Sequence, residues 1–185
     1  MMPELSLNIL DIAQNSIAAG SNLTTIGIVA DSASDSLTIT VDDDGKGMTG
    51  EQVKRVTDPF YTTRTSRSVG LGVPFVKMAC ELTGGSFSIT SEPGAGTALK
   101  AALGLSHIDR MPLGDIAATF AALIGPNPSI DFVLNYSVDG RSFTADTREF
   151  RAALEDVPLN EPQVLSFITA FIQENRSECD AGVAV

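Results

Sequence analysis

The segment Asn8-Ile9-Leu10-Asp11-Ile12-Ala13-Gln14-Asn15-Ser16 decides how the chain is read. At about 100° per residue, Asn8, Asp11 and Asn15 fall in one narrow arc of a helix, with Gln14 at its edge. Leu5, Ile9, Leu10, Ile12, Ala13 and Ile17 take most of the remaining circumference. A solvated helix face ordinarily carries Lys, Glu and Arg, whose long stems reach water. No Lys or Arg precedes Lys46, and this stripe consists of short amides and one carboxylate. Two readings fit: a solvent-facing stripe on an ordinary amphipathic helix, or the polar wall of a cleft. In the second, Asp11 and Asn15 are one turn apart and point the same way. An amide oxygen is a hard donor suited to Mg²⁺, and a carboxylate one turn away can orient or deprotonate a water.

The surroundings of that helix, expected over residues 4–19, set the fold class. Thr24–Ala30 and Ser36–Asp42 are rich in Ile, Val and Thr and read as strands. A short helix is expected over Glu51–Thr57. A longer one is expected over Gly70–Leu82, with Pro74 tolerable in its first turns and Gly84-Gly85 at its end. Ser86–Ser91 and Thr97–Leu103 read as a hairpin across Glu92-Pro93-Gly94-Ala95-Gly96. The composition shifts near Ser106–Pro112, which reads as a connector. Beyond it come a helix over Gly114–Ile124 and strands Ile130–Tyr136 and Ser142–Ala145 about Asp139-Gly140. Two further helices follow, opened by capping boxes at Asp146 with Glu149 and at Asn160 with Gln163, the second running to about Glu174. The sum is an α/β sandwich, a mixed sheet covered by helices on one face, over residues 1–105. Residues 106–185 are expected to form a small C-terminal α/β appendage.

Two loops carry further chemistry. Asp42-Asp43-Asp44-Gly45-Lys46-Gly47-Met48 follows a strand directly. Three consecutive carboxylates repel one another and need compensation, and the glycines allow a sharp turn and close approach to a ligand. One Asp aimed into a pocket could accept the exocyclic amine of a purine. A calcium loop is the competing reading, although the alternating Asp/Asn spacing and the far-end Glu are missing; a plain solvated turn is the third. The stretch from Asp58 to Gly72 is rich in hydroxyls, with Arg64, Arg67 and glycines near a helix start. Backbone N–H groups at a helix N-terminus bind anions, and arginines add charge-assisted bonds to phosphate. A mobile surface loop is the plainer reading of that stretch.

In this order, the segments resemble the GHKL superfamily, the ATP-binding domains of gyrase, heat-shock chaperone, histidine kinase and MutL type. Asn8–Ser16 resembles the N-box, and Asp43-Asp44-Gly45-Lys46-Gly47 the first glycine box. Asp58-Pro59-Phe60-Tyr61-Thr62-Thr63-Arg64 is similar to the segment before the ATP lid of histidine kinases. Gly70-Leu71-Gly72, Gly84-Gly85 and Ser91–Thr97 are similar to the second glycine box and the strand beyond it. The likeness covers residues 4–104 and implies a Bergerat-type ATP-binding fold with ATP and Mg²⁺ as cofactors. It implies that Asn15 coordinates Mg²⁺ and that Asp43 bonds the adenine amino group. Gly45 and Gly47 would allow close approach of the base, with Met48 in its pocket. Gly70, Leu71 and Gly72 would offer N–H groups to the phosphates, beside Arg64, and Thr97 would support the adenine. Hydrolysing members carry a carboxylate one turn before the metal Asn; here that is Asp11, one methylene shorter than the usual Glu. Ser16 stands where many members have Ala, and Ser68 where a first glycine is expected.

Charge and composition exclude other classes. The 185 residues carry 23 acidic and 12 basic side chains, a net charge of −11. That balance argues against nucleic acid and against anionic membrane. Residues 1–105 hold 11 acidic and 7 basic groups, so most of the excess lies in residues 106–185. No apolar run reaches the ~18 residues of a membrane span. Two cysteines make neither a disulfide framework nor a zinc site, and a cytoplasmic protein is the default expectation. The sole histidine, His107, lies after the ATP-binding part and reads as a connector residue rather than a phosphate acceptor. Together with the GHKL resemblance, the expected function is ATP-dependent action in trans, as an ATPase or protein kinase, on a partner protein. The alternative is a non-catalytic, nucleotide-responsive binding module similar to anti-sigma regulators.

Overall fold

The computed structural model describes residues 4–57, 72–155 and 157–185. In chain order they form α1 (Leu5–Ala18), β1 (Leu23–Asp31), β2 (Ser36–Asp43), α2 (Gly50–Arg55), α3 (Gly72–Leu82), β3 (Ser86–Glu92), β4 (Gly96–Gly104), α4 (Ile116–Ile124), β5 (Asp131–Val138), β6 (Arg141–Asp146), α5 (Thr147–Leu154) and α6 (Pro162–Asp180). The strands make one six-stranded sheet in the order β3-β4-β2-β1-β5-β6. All neighbours are antiparallel except β1 and β5, which run parallel. The α/β fold class expected from the sequence is the one observed.

Alternation along the strands separates the two faces. Leu37, Ile39 and Val41 of β2, Leu99, Ala101 and Leu103 of β4, and Ile26 and Ile28 of β1 are buried. They join one apolar cluster with Ile9 and Ile12 of α1, Val76 of α3, Phe120 of α4 and Ile168 of α6. The opposite face carries the intervening residues, among them Thr38, Thr40, Ser88, Thr90 and Lys100, half or fully exposed. A mixed sheet with one solvated face fits this burial pattern.

Residues 106–185 continue the sheet through β5 and also hold α1. Glu4, the N-cap of α1, makes no side-chain cap. The first N–H groups of the helix instead donate to carbonyls of the later segment: Leu5 to Pro112 at 3.0 Å and Ser6 to Leu113 at 2.7 Å. These are the orphan donors that any helix start must satisfy. Thr119 Oγ1 also donates to Ser6 O at 3.4 Å.

Three local expectations differ from what is observed. Asp146 caps α5 by accepting from Arg148 N at 2.8 Å rather than through a box with Glu149. The Asn160–Gln163 box does not form, because Pro162 starts α6 and moves the N-cap to Glu161. Helix α6 runs on to Asp180, beyond Glu174. A true capping box instead opens α2, where Thr49 and Gln52 serve each other's N–H groups. Among the described residues no helix is long and apolar enough to cross a membrane. Cys80 and Cys179 are free and buried, and burial pushes the Cys80 thiol up to about 11.

Candidate functional site

The register of β2, β4 and β3 builds one end of a cavity row by row. Asp43 pairs with Thr97, and Thr97 with Ser91; one step inward, Val41 pairs with Leu99 and Leu99 with Ile89. Period-2 alternation turns both rows to the helix-covered face. The first row is polar and the second apolar, so the sheet changes character at this edge. The cavity over these rows has a volume of about 260 Å³. That lies close to the lower end of ordinary small-molecule pockets, roughly 300–1,000 Å³. Its wall is mostly apolar, from Ile12, Val41, Val73, Ile89 and Leu99, with a few polar groups.

The three consecutive carboxylates take three different places. Asp42 is exposed on the open face of the sheet, and partial burial, then the neighbouring Asp43, raises its pKa. Asp44 folds back on the α1–β1 turn. Its Oδ1 accepts from Asn22 N at 2.7 Å, Leu23 N at 2.9 Å and Ser21 Oγ at 2.8 Å. Those bonds, the one from Leu23 first, hold its carboxyl below the usual range. Asp43 alone lines the cavity. Ser16 Oγ donates to Asp43 Oδ2 at 2.8 Å and Gly45 N donates to Oδ1 at 2.9 Å, fixing the plane of the carboxylate.

The other sequence-derived candidates divide by position. Asn15, Gly47, Met48 and Thr97 line the same cavity as Asp43. Gly45 is buried behind it, where an added Cβ would lie 2.9 Å from Ala19 Cβ. Gly47 has φ +64°, and an added Cβ would run into the backbone carbonyl of Glu92. The glycine there lets the loop dock on the β3–β4 turn. Gly72 starts α3, and its N–H donates to Asp11 Oδ2 at 2.7 Å. The Cα of Gly72 faces that carboxylate, so any side chain would displace Asp11. Asp11 thus joins the N-box helix to the start of α3. Arg64, Gly70 and Leu71 lie outside the described residues.

Asn8 does not share the cavity with Asn15. It is fully buried, its Nδ2 donates to Glu4 O at 3.2 Å, and its Oδ1 has no partner among the described residues. Two residues outside the candidate set matter here. Ser16 orients Asp43. Ser91 accepts from Met48 N at 2.8 Å, donates to Gly96 O at 2.7 Å, and lies 3.0 Å from Thr97 Oγ1. The sequence signal for Ser91 is its place two residues from Ile89 on a strand opposite Thr97.

The family model described as histidine kinase-, DNA gyrase B- and HSP90-like ATPase matches residues 2–107, more than half the chain. The chain belongs to this family. Its relatives include sensor histidine kinases and sporulation kinases. Sensor histidine kinase ZraS of Salmonella typhimurium is 34% identical over 89 residues, covering 48% of this chain and 19% of that protein. Sporulation kinase E of Bacillus subtilis is 40% identical over 63 residues, covering 34% and 8%. The chain thus spans less than a quarter of the length of these curated relatives. Among solved structures, the N-terminal domain of a DNA repair protein aligns with a TM-score of 0.49 and 14% identity, over 77% of this chain and 51% of that one.

Proposed function

We propose that the cavity binds ATP with Mg²⁺ and that the protein acts in trans, as an ATPase or protein kinase, on a partner protein. The observation that carries this reading is the fixed Asp43 carboxylate at the end of an apolar cavity. An apolar slot accepts the faces of a flat base, and an oriented acceptor receives an exocyclic amine. Met48 and Thr97 would flank the base, with Gly45 and Gly47 allowing its approach. Gly70, Leu71 and Gly72 would bind the phosphates by their N–H groups, that of Gly72 on leaving Asp11, with Arg64 beside them.

The donor set suits Mg²⁺. Among the described residues no group of three or more His, Cys, Asp or Glu is gathered that could hold a metal unaided. Asn15, whose side chain carries one hard amide oxygen, lines the cavity. Mg²⁺ commonly takes one or two protein ligands and completes its shell with phosphate oxygens and water. Bound there, the ion would neutralise phosphate charge. Asp11 is proposed as the base that takes a proton from an attacking water. The division into residues 1–105 as the nucleotide-binding unit and 106–185 as an extension that braces α1 belongs to the same proposal.

A second reading rests on the Asp11–Gly72 bond. A carboxylate held by the N–H at the start of α3 links nucleotide contacts to the N-box helix without any turnover. That arrangement favours a nucleotide-responsive binding module. Phosphate release from Mg-ATP separates the two. Under the first reading the wild type releases phosphate, and Asp11→Asn keeps ATP affinity within about threefold while losing release by at least about a hundredfold. Equal release by wild type and variant removes Asp11 as the base. Binding without release, with the partner present or absent, leaves the second reading.

A further inference from the structure

Ser91 stands where three segments bordering the cavity meet. Its hydroxyl contacts Met48 N, Gly96 O and Thr97 Oγ1 at 2.8, 2.7 and 3.0 Å. Only one assignment of hydrogens satisfies all three contacts. An amide N–H donates, so Ser91 accepts from Met48. A carbonyl oxygen accepts, so the one hydrogen of Ser91 goes to Gly96. The third contact then requires Thr97 to donate to Ser91. The hydrogen of Thr97 is thereby engaged, and its oxygen presents only lone pairs to the cavity that it lines. The same count holds at Ser16, whose hydrogen goes to the Asp43 carboxylate. Asp43, Ser16 and Thr97 therefore all accept at this end of the cavity, and none of them donates.

The frame that holds Ser91 leaves little freedom for another arrangement. Gly94 N donates to Lys46 O at 2.7 Å, tying the β3–β4 turn to the Lys46–Met48 loop. Gly47 packs on the Glu92 carbonyl, and Gly96, at φ +87°, on that of Asp43. Met48 N and Gly96 O are thus fixed relative to the Ser91 hydroxyl.

We infer that Ser91 is a positioning residue for base selection, because it fixes the Thr97 hydroxyl as an acceptor and so makes this end of the cavity take an amine-bearing purine edge and reject a carbonyl. The inference rests on the nucleotide reading above. A 6-oxo purine would set its carbonyl against three acceptors, and only its neighbouring N1–H has a hydrogen to offer one of them. Of the two hydroxyls, that of Thr97 is the one that loss of Ser91 releases, and its rotor then turns a hydrogen toward such a carbonyl.

The test is calorimetric titration of the full chain with Mg-ATP and Mg-ITP, which differ at the C6 edge. Wild type is expected to prefer ATP by about a hundredfold, as a few fixed polar contacts allow. Ser91→Ala is expected to narrow that preference about five- to tenfold, mainly through better ITP binding, whereas Ser91→Thr, which keeps the hydroxyl, retains it. Thr97→Val is expected to narrow it too, and adding Ser91→Ala to Thr97→Val changes it no further. If Ser91 only braces the loops, Ser91→Ala weakens both nucleotides equally, and the unchanged ratio overturns the inference while the nucleotide reading stands. If Ser91→Ala does not fold, an unchanged ratio in Thr97→Val overturns the inference in its place. Wild type binding both nucleotides equally also overturns it. Wild type binding neither removes the nucleotide reading, and the inference with it.

Discussion

In the C-terminal region three acidic side chains close on arginines of the same region. Asp131 meets Arg151 at 2.7 Å, Asp146 meets Arg148 at 2.6 Å and Asp180 meets Arg176 at 3.2 Å. The Tyr136 hydroxyl, on a buried ring, donates to Asp180 at 2.6 Å. Around the cavity the pattern is different. Among the described residues, Asp11, Asp43 and Asp44 are held by hydroxyls and backbone N–H groups. Acids paired with arginine are neutralised locally and serve the fold. Acids held by dipoles are oriented with no cation beside them among the described residues. The net charge of −11 therefore hides two kinds of carboxylate, and only the second kind suits a ligand.

Substitutions that separate stability from binding would sharpen or break this comparison. Phe120 is fully buried and meets Phe132 edge-on, with centroids 6.4 Å apart. Phe120→Ala is expected to cost about 3–5 kcal/mol in urea unfolding, with the folded fraction keeping wild-type nucleotide affinity. A changed affinity would mean that the two regions are energetically coupled. Asp43→Asn has the opposite profile: about ten- to a hundredfold weaker ATP binding, with an unfolding midpoint in the absence of ligand close to wild type.

Smaller effects follow from the paired acids. Tyr136→Phe removes a bond to a charged group and should lower stability by about 1.5–3 kcal/mol without a change of urea m-value. The smallest effect is one of pH and salt. Asp44, chiefly through Leu23 N–H, and Asp146, chiefly through Arg148, have folded-state pKa values below the ordinary 3.8. Their stabilisation is present at neutral pH and drains away as pH falls below about 4, where protonation removes it. Salt should weaken only the Asp146 contribution, because Arg148 is a screened ionic partner and the donors to Asp44 are dipoles. Equal salt sensitivity of Asp44→Asn and Asp146→Asn would contradict the distinction between the two kinds of acid.

Much of the fold and the site is legible locally. The alternation in β2 and β4 carries both the strand assignment and the face on which Asp43 and Thr97 stand. The periodicity of α1 carries Asn15 to the cavity wall, but gives no reason to separate Asn8 from it. That separation comes from tertiary packing around the first turns of α1, where residues 112, 113 and 119 arrive from more than a hundred positions away. The parallel pairing of β1 with β5 is hidden from the sequence for the same reason. Ser91 and Ser16 escape local reading because a serine shows its importance only once its hydrogen-bond partners are in place.

The most direct measurement is the melting temperature of the wild type and of Asp43→Asn with and without Mg-ATP. At about a hundred times Kd, a ligand adds roughly 2.7 kcal/mol, which in a chain of this size raises Tm by about 5–10 °C. The wild type should show that rise, and Asp43→Asn should lose about half of it or more at the same ATP concentration. A wild-type curve unmoved by millimolar Mg-ATP, or a full shift retained in Asp43→Asn, would contradict a nucleotide site built around Asp43.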